Sequence, residues 1–327
     1  MWCRNCRSTE SPTHMATIVT NCSKRKRLAP DATLLARTLI AGSLDAVVRQ
    51  WQGRIEAAQP QVEAGRLYCG RQFHEARQAS RRLDAELLIV SAGLGVVRPD
   101  DLVPSYSITV ATGVSDSVLS KVQDVATAAE WWRETTKPGS DSKSLQTALE
   151  PSEDTDGLIL IALPAPYLSM IEDEVAKFPA ERLARTRLFT QQSFRFRNAG
   201  LSSLRMPYDA RLDGPESPSP GTATDFSSRA LRDFVEYVLP DRPEGNCEDH
   251  AAAVAGRLSG WPPAPRPDRK RLPDSELREI IRANWSHSGS SASGMLRRVR
   301  RELGLACEQG RMRELHASVR AEMEEVS

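Results

Sequence analysis

No apolar run in this 327-residue chain approaches the ~20 residues that a membrane-spanning helix requires, so no membrane partner is expected. The N-terminal stretch MWCRNCRSTESPTHM lacks the apolar core of a secretory signal, and a cytoplasmic location is expected. Residues 1–14 read as a weakly ordered extension ahead of Met15, from an upstream start codon. Cysteine is sparse, and six in 327 residues do not make a disulfide framework. Cys3 and Cys6 have CxxC spacing, but no second CxxC or CxxH pair completes a tetrahedral zinc site. The five histidines (14, 74, 250, 287 and 316) form no HxH or HxxxH pair, so no metal is expected. A GxGxxG loop and a Walker lysine are both missing, which leaves a nucleotide cofactor unsupported; no cofactor is expected. Neither sign of charge dominates. With 44 Lys plus Arg against 43 Asp plus Glu, whole-chain charge selects no anionic partner. No internal repeat of 20–50 residues is present.

What is present reads as an α/β fold. Buried strands are predicted at 16–21 (ATIVTN), at Leu87 to Val90 within 85–97 (AELLIVSAGLGVV), which leaves into a Ser-Ala-Gly-Leu-Gly turn, and at 157–164 (GLILIALP), because each is a short apolar run. Helical spacing predicts one long helix or two short ones over 31–58, and further helices over 74–83, 116–133, 165–178 and 226–239. Residues 65–73 read as a strand end and turn, 134–156 as a loop, and TRLFT and SFRF as short strands. Strand, helix, strand in this order predicts parallel βαβ units. An α/β domain over 15–260, a Pro/Arg-rich linker at 261–273 and a helical basic module at 274–327 follow.

In a parallel sheet, ligands bind outside the carboxyl ends of the strands. Cys22 falls at that position on the first strand, and Ser91 to Gly95 on the second. Lys24, Arg25, Lys26 and Arg27 follow Cys22, and nearby cations favour a thiolate. A thiol so placed is a candidate nucleophile. The plain alternative is a small buried cysteine. Gly93 and Gly95 permit close backbone approach to a ligand. Asp100 and Asp101 suit acid–base work or a solvated turn, and Tyr106 suits base binding or packing.

TNCSKRK, YCGRQF, LLIVSAGLGVVRPDDLVPSY and LILIALPAPYL resemble, in the same order, the YaaA-like superfamily of peroxide-stress proteins implicated in DNA binding. Tyr68–Gly70 matches its Tyr-x-Gly step, and Ser91–Tyr106 its Ser-x-x-x-Gly…Pro-x-Asp…Tyr step. The Cys-Ser-x-x-Lys step at 22–26 is similar to that of archaeosine synthase, which acts on the nitrile of 7-cyano-7-deazaguanine in transfer RNA. Asn21 and Arg27 stand where that step has prolines. The likeness spans residues 16–180. DpdC-like proteins, from genomic islands that insert 7-deazaguanines into DNA, fit both halves of it. The resemblance therefore implies conversion of the cyano base in DNA to the carboxamide, in a phage-defence setting. Chemically, a thiolate adds to the nitrile, water attacks the thioimidate, and the amide leaves. The implied catalytic residues are Cys22, Lys24 and Asp101. Ser23, Lys26, Tyr68, Gly70, Ser91, Gly93, Gly95 and Tyr106 would bind substrate.

The C-terminal stretch HSGSSASGMLRRVRRELG places a Ser/Gly loop at a helix N-terminus, which favours phosphate. Ser290, Ser291 and Ser293 with Arg297, Arg300 and Arg301 are the expected nucleic-acid contacts, DNA being the expected partner. Leu296, Val299 and Leu303 would form the buried stripe. The alternative is a solvated helix that pairs with Glu302 and the acidic tail. Cys307 reads as helix packing. Three function classes stay open: an enzyme, which needs Cys22; a DNA-binding protein without turnover in stress protection or defence, which needs only the arginines; and a structural partner of proteins from the same operon.

Overall fold

The structure, a computed structural model, describes residues 16–60, 62–150, 157–264, 269–287 and 291–325. The chain divides between Ala264 and Pro265 into two compact units, within the Pro/Arg-rich stretch 261–273. The fold is mixed α/β: a five-stranded sheet flanked by helices, and a helical C-terminal segment.

The first unit opens with β1 (Ala16–Asn21), which is buried along its whole length, as the apolar reading of ATIVTN requires. The helical spacing across 31–58 becomes an α-helix only at α1 (Leu44–Glu56), where the Ser43 hydroxyl accepts from Ala46 N–H. Upstream, two 3-10 turns replace it. Their backbone pairs with another segment instead: Asp31 N–H donates to Ser105 O, Ala36 N–H to Ser107 O and Gly42 N–H to Lys121 O. Next come β2 (Val62–Glu63), α2 (Ala64–Leu67) and α3 (Arg71–Leu83), so 65–73 forms helix turns and not a strand end. The run at 85–97 splits into β3 (Glu86–Ser91) and β4 (Gly95–Val97), a hairpin. Gly95 makes this turn possible. Its φ is +71°, and a Cβ there would lie 2.6 Å from Lys143 O.

β5 (Leu102–Val103) pairs antiparallel with β2. The helix expected at 116–133 begins only at α4 (Ala128–Thr135), where Thr127 and Glu130 form a capping box. The loop 134–156 contains α5 (Leu145–Leu149), whose first amide donates to the half-buried Glu174 carboxylate at 2.9 Å. β6 (Leu158–Ala162), α6 (Ala165–Val175), α7 (Ala180–Ala184) and β7 (Thr186–Phe189) follow. SFRF is no strand; Phe194 and Phe196 instead pack edge to face. α8 (Phe226–Asp233) runs into a π-helical turn at Phe234–Val238, and α9 (Cys247–Leu258) closes the unit.

The sheet order is β4-β3-β1-β6-β7. β3, β1, β6 and β7 are parallel, with Val19 opposite Leu88 and Ile161; β4 alone is antiparallel. Ile18, Val19, Leu88, Ile89, Leu160 and Ile161 are buried, each contributing about 1.5–3 kcal/mol. Helices α3 and α8 pack together, α3 on β1 and α8 on β6 and β7, while α4 packs on α1 and α6.

The second unit comprises β8 (Lys270–Arg271), α10 (Asp274–Ala283), α11 (Ala292–Arg301), β9 (Leu305–Ala306) and α12 (Gln309–Glu325). β8 pairs parallel with β9, and Leu272 joins the core with Leu277, Ile281, Met295, Val299 and Met312. No helix among the described residues is long and apolar enough to cross a membrane.

Candidate functional site

Parallel pairing brings the carboxyl ends of β1 and β3 side by side. Cys22 extends the ladder by one residue, its N–H donating to Val90 O at 2.9 Å. Ser91, at the end of β3, is therefore its neighbour across the sheet. The turn beyond Ser91 is held by two tryptophans. Trp51 Nε1 donates to Gly93 O at 2.8 Å, and Trp131 Nε1 to Ala92 O at 2.7 Å. Gly93 is needed for this close packing, since a Cβ would lie 2.6 Å from Ile108 and 2.9 Å from the Trp51 ring.

Three buried tyrosines complete the cluster. Tyr106 OH lies 2.6 Å from Ser91 Oγ and 2.6 Å from Tyr68 OH. Tyr167, in the first turn of α6, places its hydroxyl 3.4 Å from Cys22 Sγ, and Thr109 also bonds to it. Burial pushes all three phenols well above their usual range, and negative charge on Cys22 adds to the shift. They are neutral donors at physiological pH. Lys26 returns over the cluster through a bridge to Tyr68. Its Nζ lies 4.3 Å from the Tyr106 ring centroid, and it donates to Ser23 O at 3.2 Å. Ser23 Oγ in turn accepts from Gly70 N–H at 2.9 Å, fixing the 22–26 loop to the start of α3.

The structure thus brings together Cys22, Ser23, Lys26, Tyr68, Gly70, Ser91, Gly93 and Tyr106, with Gly95 in the adjoining hairpin. Lys24 and Asp101 are not brought there. Lys24 is exposed. Asp101 is exposed too, and its carboxylate accepts from Arg98 N–H at 2.7 Å, capping its own turn beside the β2–β5 pair. The acid–base role expected for Asp101 has no support in this placement. The carboxylate that acts electrostatically on Lys26 is Asp116, which is bonded to Arg37 at 3.0 Å and to Ser107 at 2.8 Å. Sequence reasoning missed Asp116, Thr109 and Tyr167. Tyr167 had a usable signal, because it lies just past the third buried strand, in the stretch LPAPYL.

Burial lowers the Lys26 pKa, while charge on Cys22, Asp116 and Cys69 opposes the shift. Between the lowered value and 10.5, the unfolded chain holds more protons at this residue than the fold does. Stability therefore rises with pH across that window. Lys26→Met removes this rise. Thermal unfolding at pH 7 and at pH 10.5 should show wild type gaining on the variant as pH increases; a constant difference would contradict the burial of a charged Lys26.

In the second unit, Ser291 caps α11, its hydroxyl accepting from Gly294 N–H at 3.1 Å; Ser293 is exposed. Ser290, Cys3 and Cys6 lie outside the described residues. Arg300 is committed to Cys307 O at 2.9 Å, and Arg298 to Asn284 and Glu302. Arg297 and Arg301 are exposed on one face, with no hydrogen bond or ion pair to any described residue. The buried stripe is Met295 and Val299, not the expected leucines: Leu303 is exposed past the helix end, and Leu296 is half-buried.

Among the described residues no group of three or more His, Cys, Asp or Glu could hold a metal ion. No protein-family model matches this chain, and no curated protein is significantly similar to it.

Proposed function

We propose that the first unit is an enzyme in which Cys22 adds to an electrophilic carbon, and that its substrate is the nitrile of a 7-cyano-7-deazaguanine base in DNA. The observation that carries the first part is the Cys22 Sγ–Tyr167 OH contact of 3.4 Å at the carboxyl end of β1, with Lys26 beside it. The substrate class rests on the resemblance of the Cys-Ser-x-x-Lys and Ser91–Tyr106 steps to the YaaA-like and DpdC-like proteins. In the reaction, the sulfur bonds to the nitrile carbon and the thiol proton ends on nitrogen, giving a thioimidate. One water adds to the same carbon. The carbon–sulfur bond breaks, the carboxamide leaves, and the thiol is restored.

Arg297 and Arg301 supply phosphate contacts in this reading, since their charges are not spent within the described chain. Arg297→Ala/Arg301→Ala should weaken binding to duplex DNA of any sequence and lower the slope of log K against log salt by about 2. An unchanged slope in fluorescence-anisotropy titrations would remove these arginines from the interface.

One observation favours a second reading. Cys22 is only 3% exposed, as a structural cysteine would be. The chain would then be a DNA-binding protein without turnover. Mass spectrometry of nucleosides separates the two. Wild-type protein incubated with DNA that carries 7-cyano-7-deazaguanine should yield the carboxamide. No conversion, with DNA binding that depends on Arg297 and Arg301, would leave the second reading.

A further inference from the structure

The hydroxyls around Ser91 carry one proton more than they can use. Ser91 Oγ has one proton and two lone pairs. It accepts N–H bonds from Gly93 at 3.1 Å and Leu94 at 3.2 Å, which occupy both lone pairs. Its 2.6 Å contact with Tyr106 OH must then use the serine proton. Tyr106 and Tyr68 share a single 2.6 Å contact and hold two phenolic protons between them. One of these has only Ser91 Oγ, which Tyr68 also meets, as a further acceptor among the described residues, and the two amides already take its lone pairs. Tyr68 is 2% exposed and Tyr106 is fully buried, so water does not readily take it. Native structures rarely leave a buried donor unmet.

Lys26 repeats the imbalance. An ammonium offers three protons. Among the described residues only Ser23 O accepts one, at 3.2 Å, while Nζ stands over the Tyr106 and Tyr68 rings at 4.3 and 5.7 Å. The phenol pair and the ammonium thus offer more donors beside Cys22 than the described residues have free acceptors to meet.

We propose that the Tyr68–Tyr106 pair and Lys26 form a donor pocket for an electron-rich acceptor atom of the ligand, namely the nitrile nitrogen as Cys22 adds to its carbon. This rests on the reading of Cys22 as a nucleophile toward a nitrile. As the carbon–sulfur bond forms, one π bond of the nitrile breaks and its electron pair moves to nitrogen. The nitrogen takes a proton from the phenol pair, and the proton leaving the thiol restores that pair, so charge and protons balance. Tyr68 and Tyr106 act on the reacting atom. Ser91 is a positioning residue: its two amide bonds fix the direction of the hydroxyl chain.

Two probes separate this from a structural effect. 2-Cyanopyrimidine forms a thioimidate with a thiol and develops charge on nitrogen. Iodoacetamide alkylates the same thiol with loss of iodide and asks for no donor at nitrogen. The full chain is incubated with each, and the adduct at Cys22 is followed by intact mass. Tyr68→Phe/Tyr106→Phe keeps both rings and removes both hydroxyls. It should slow nitrile capture by about 10²-fold and change alkylation by less than about threefold. Where the double variant does not fold, Tyr68→Phe alone should show the same divergence. A parallel fall in both rates, no fall in either, or a wild-type Cys22 inert to both probes would overturn the pocket. Selective loss of nitrile capture, with DNA nucleosides left unconverted by wild type, would keep the pocket and remove the DNA substrate. Conversion of DNA with an unchanged kcat in the double variant would do the reverse.

Discussion

Cys22→Ala is expected to lower conversion of the cyano base by at least about 10³-fold, because the covalent route loses its nucleophile. The fold should survive. The side chain is small, and removing one buried sulfur costs about 1 kcal/mol in a core of this kind. Cys22→Ser is the sharper variant. It keeps the shape and can still meet Tyr167 OH, but a neutral hydroxyl adds poorly to a nitrile. Both variants should bind DNA as wild type does, since Arg297 and Arg301 are untouched. Turnover by Cys22→Ser within tenfold of wild type would show that sulfur is not the attacking atom.

Arg229→Met is expected to be the most destabilising single change, by about 3–5 kcal/mol, read from denaturant unfolding. The guanidinium is fully buried in α8. It donates to Asp225 at 2.7 Å, to Asp213 at 2.6 Å, and to the carbonyl oxygens of Leu212, Ser219 and Thr222. It thereby pins the Pro/Ser/Gly loop at 214–225 to the start of α8. Methionine fills much of the volume but leaves Asp225, itself buried, with only the more distant Arg71 at 3.7 Å as its cation. Adding Asp225→Asn should recover part of the loss, because the buried and now weakly paired charge then disappears. A loss below about 1 kcal/mol in the single variant would mean that water replaces the guanidinium without difficulty.

The apolar strands were legible because burial on both faces writes a continuous run: ATIVTN, ELLIVS and LILIA all became strands of the central sheet. The placement of Cys22 beside Ser91 followed from parallel pairing alone. The turn after β3 was legible in Ser-Ala-Gly-Leu-Gly, but the return strand β4 was not, because a chain that turns back to pair has the same composition as one that turns away. Of the one long or two short helices expected over 31–58, only Leu44–Glu56 formed an α-helix, for a related reason. Helical spacing at Leu34, Leu35 and Leu39 was overridden by backbone pairing with 105–121, a contact between segments that no local pattern announces. At the site, Tyr68, Tyr106 and Lys26 were found as motif residues, but their shared function as donors depends on distances of 2.6 and 4.3 Å that sequence does not contain. Asp101 stayed open between acid–base work and a solvated turn because Pro-Asp-Asp reads alike in both; here it caps an exposed turn. Asp116 was overlooked because it sits in a Gly/Ser-rich loop (GVSDS) with no motif around it.

The central claim is that Cys22 bonds covalently to the nitrile carbon, and acid-quenched intact mass spectrometry tests it most directly. A short oligonucleotide carrying one 7-cyano-7-deazaguanine is mixed with excess protein and quenched before turnover is complete. The expected result is a protein species heavier by the mass of the oligonucleotide, mapped by digestion to the peptide that holds Cys22 and missing in Cys22→Ala. Carboxamide produced by Cys22→Ala at the wild-type rate, with no adduct at any time point, would contradict the account.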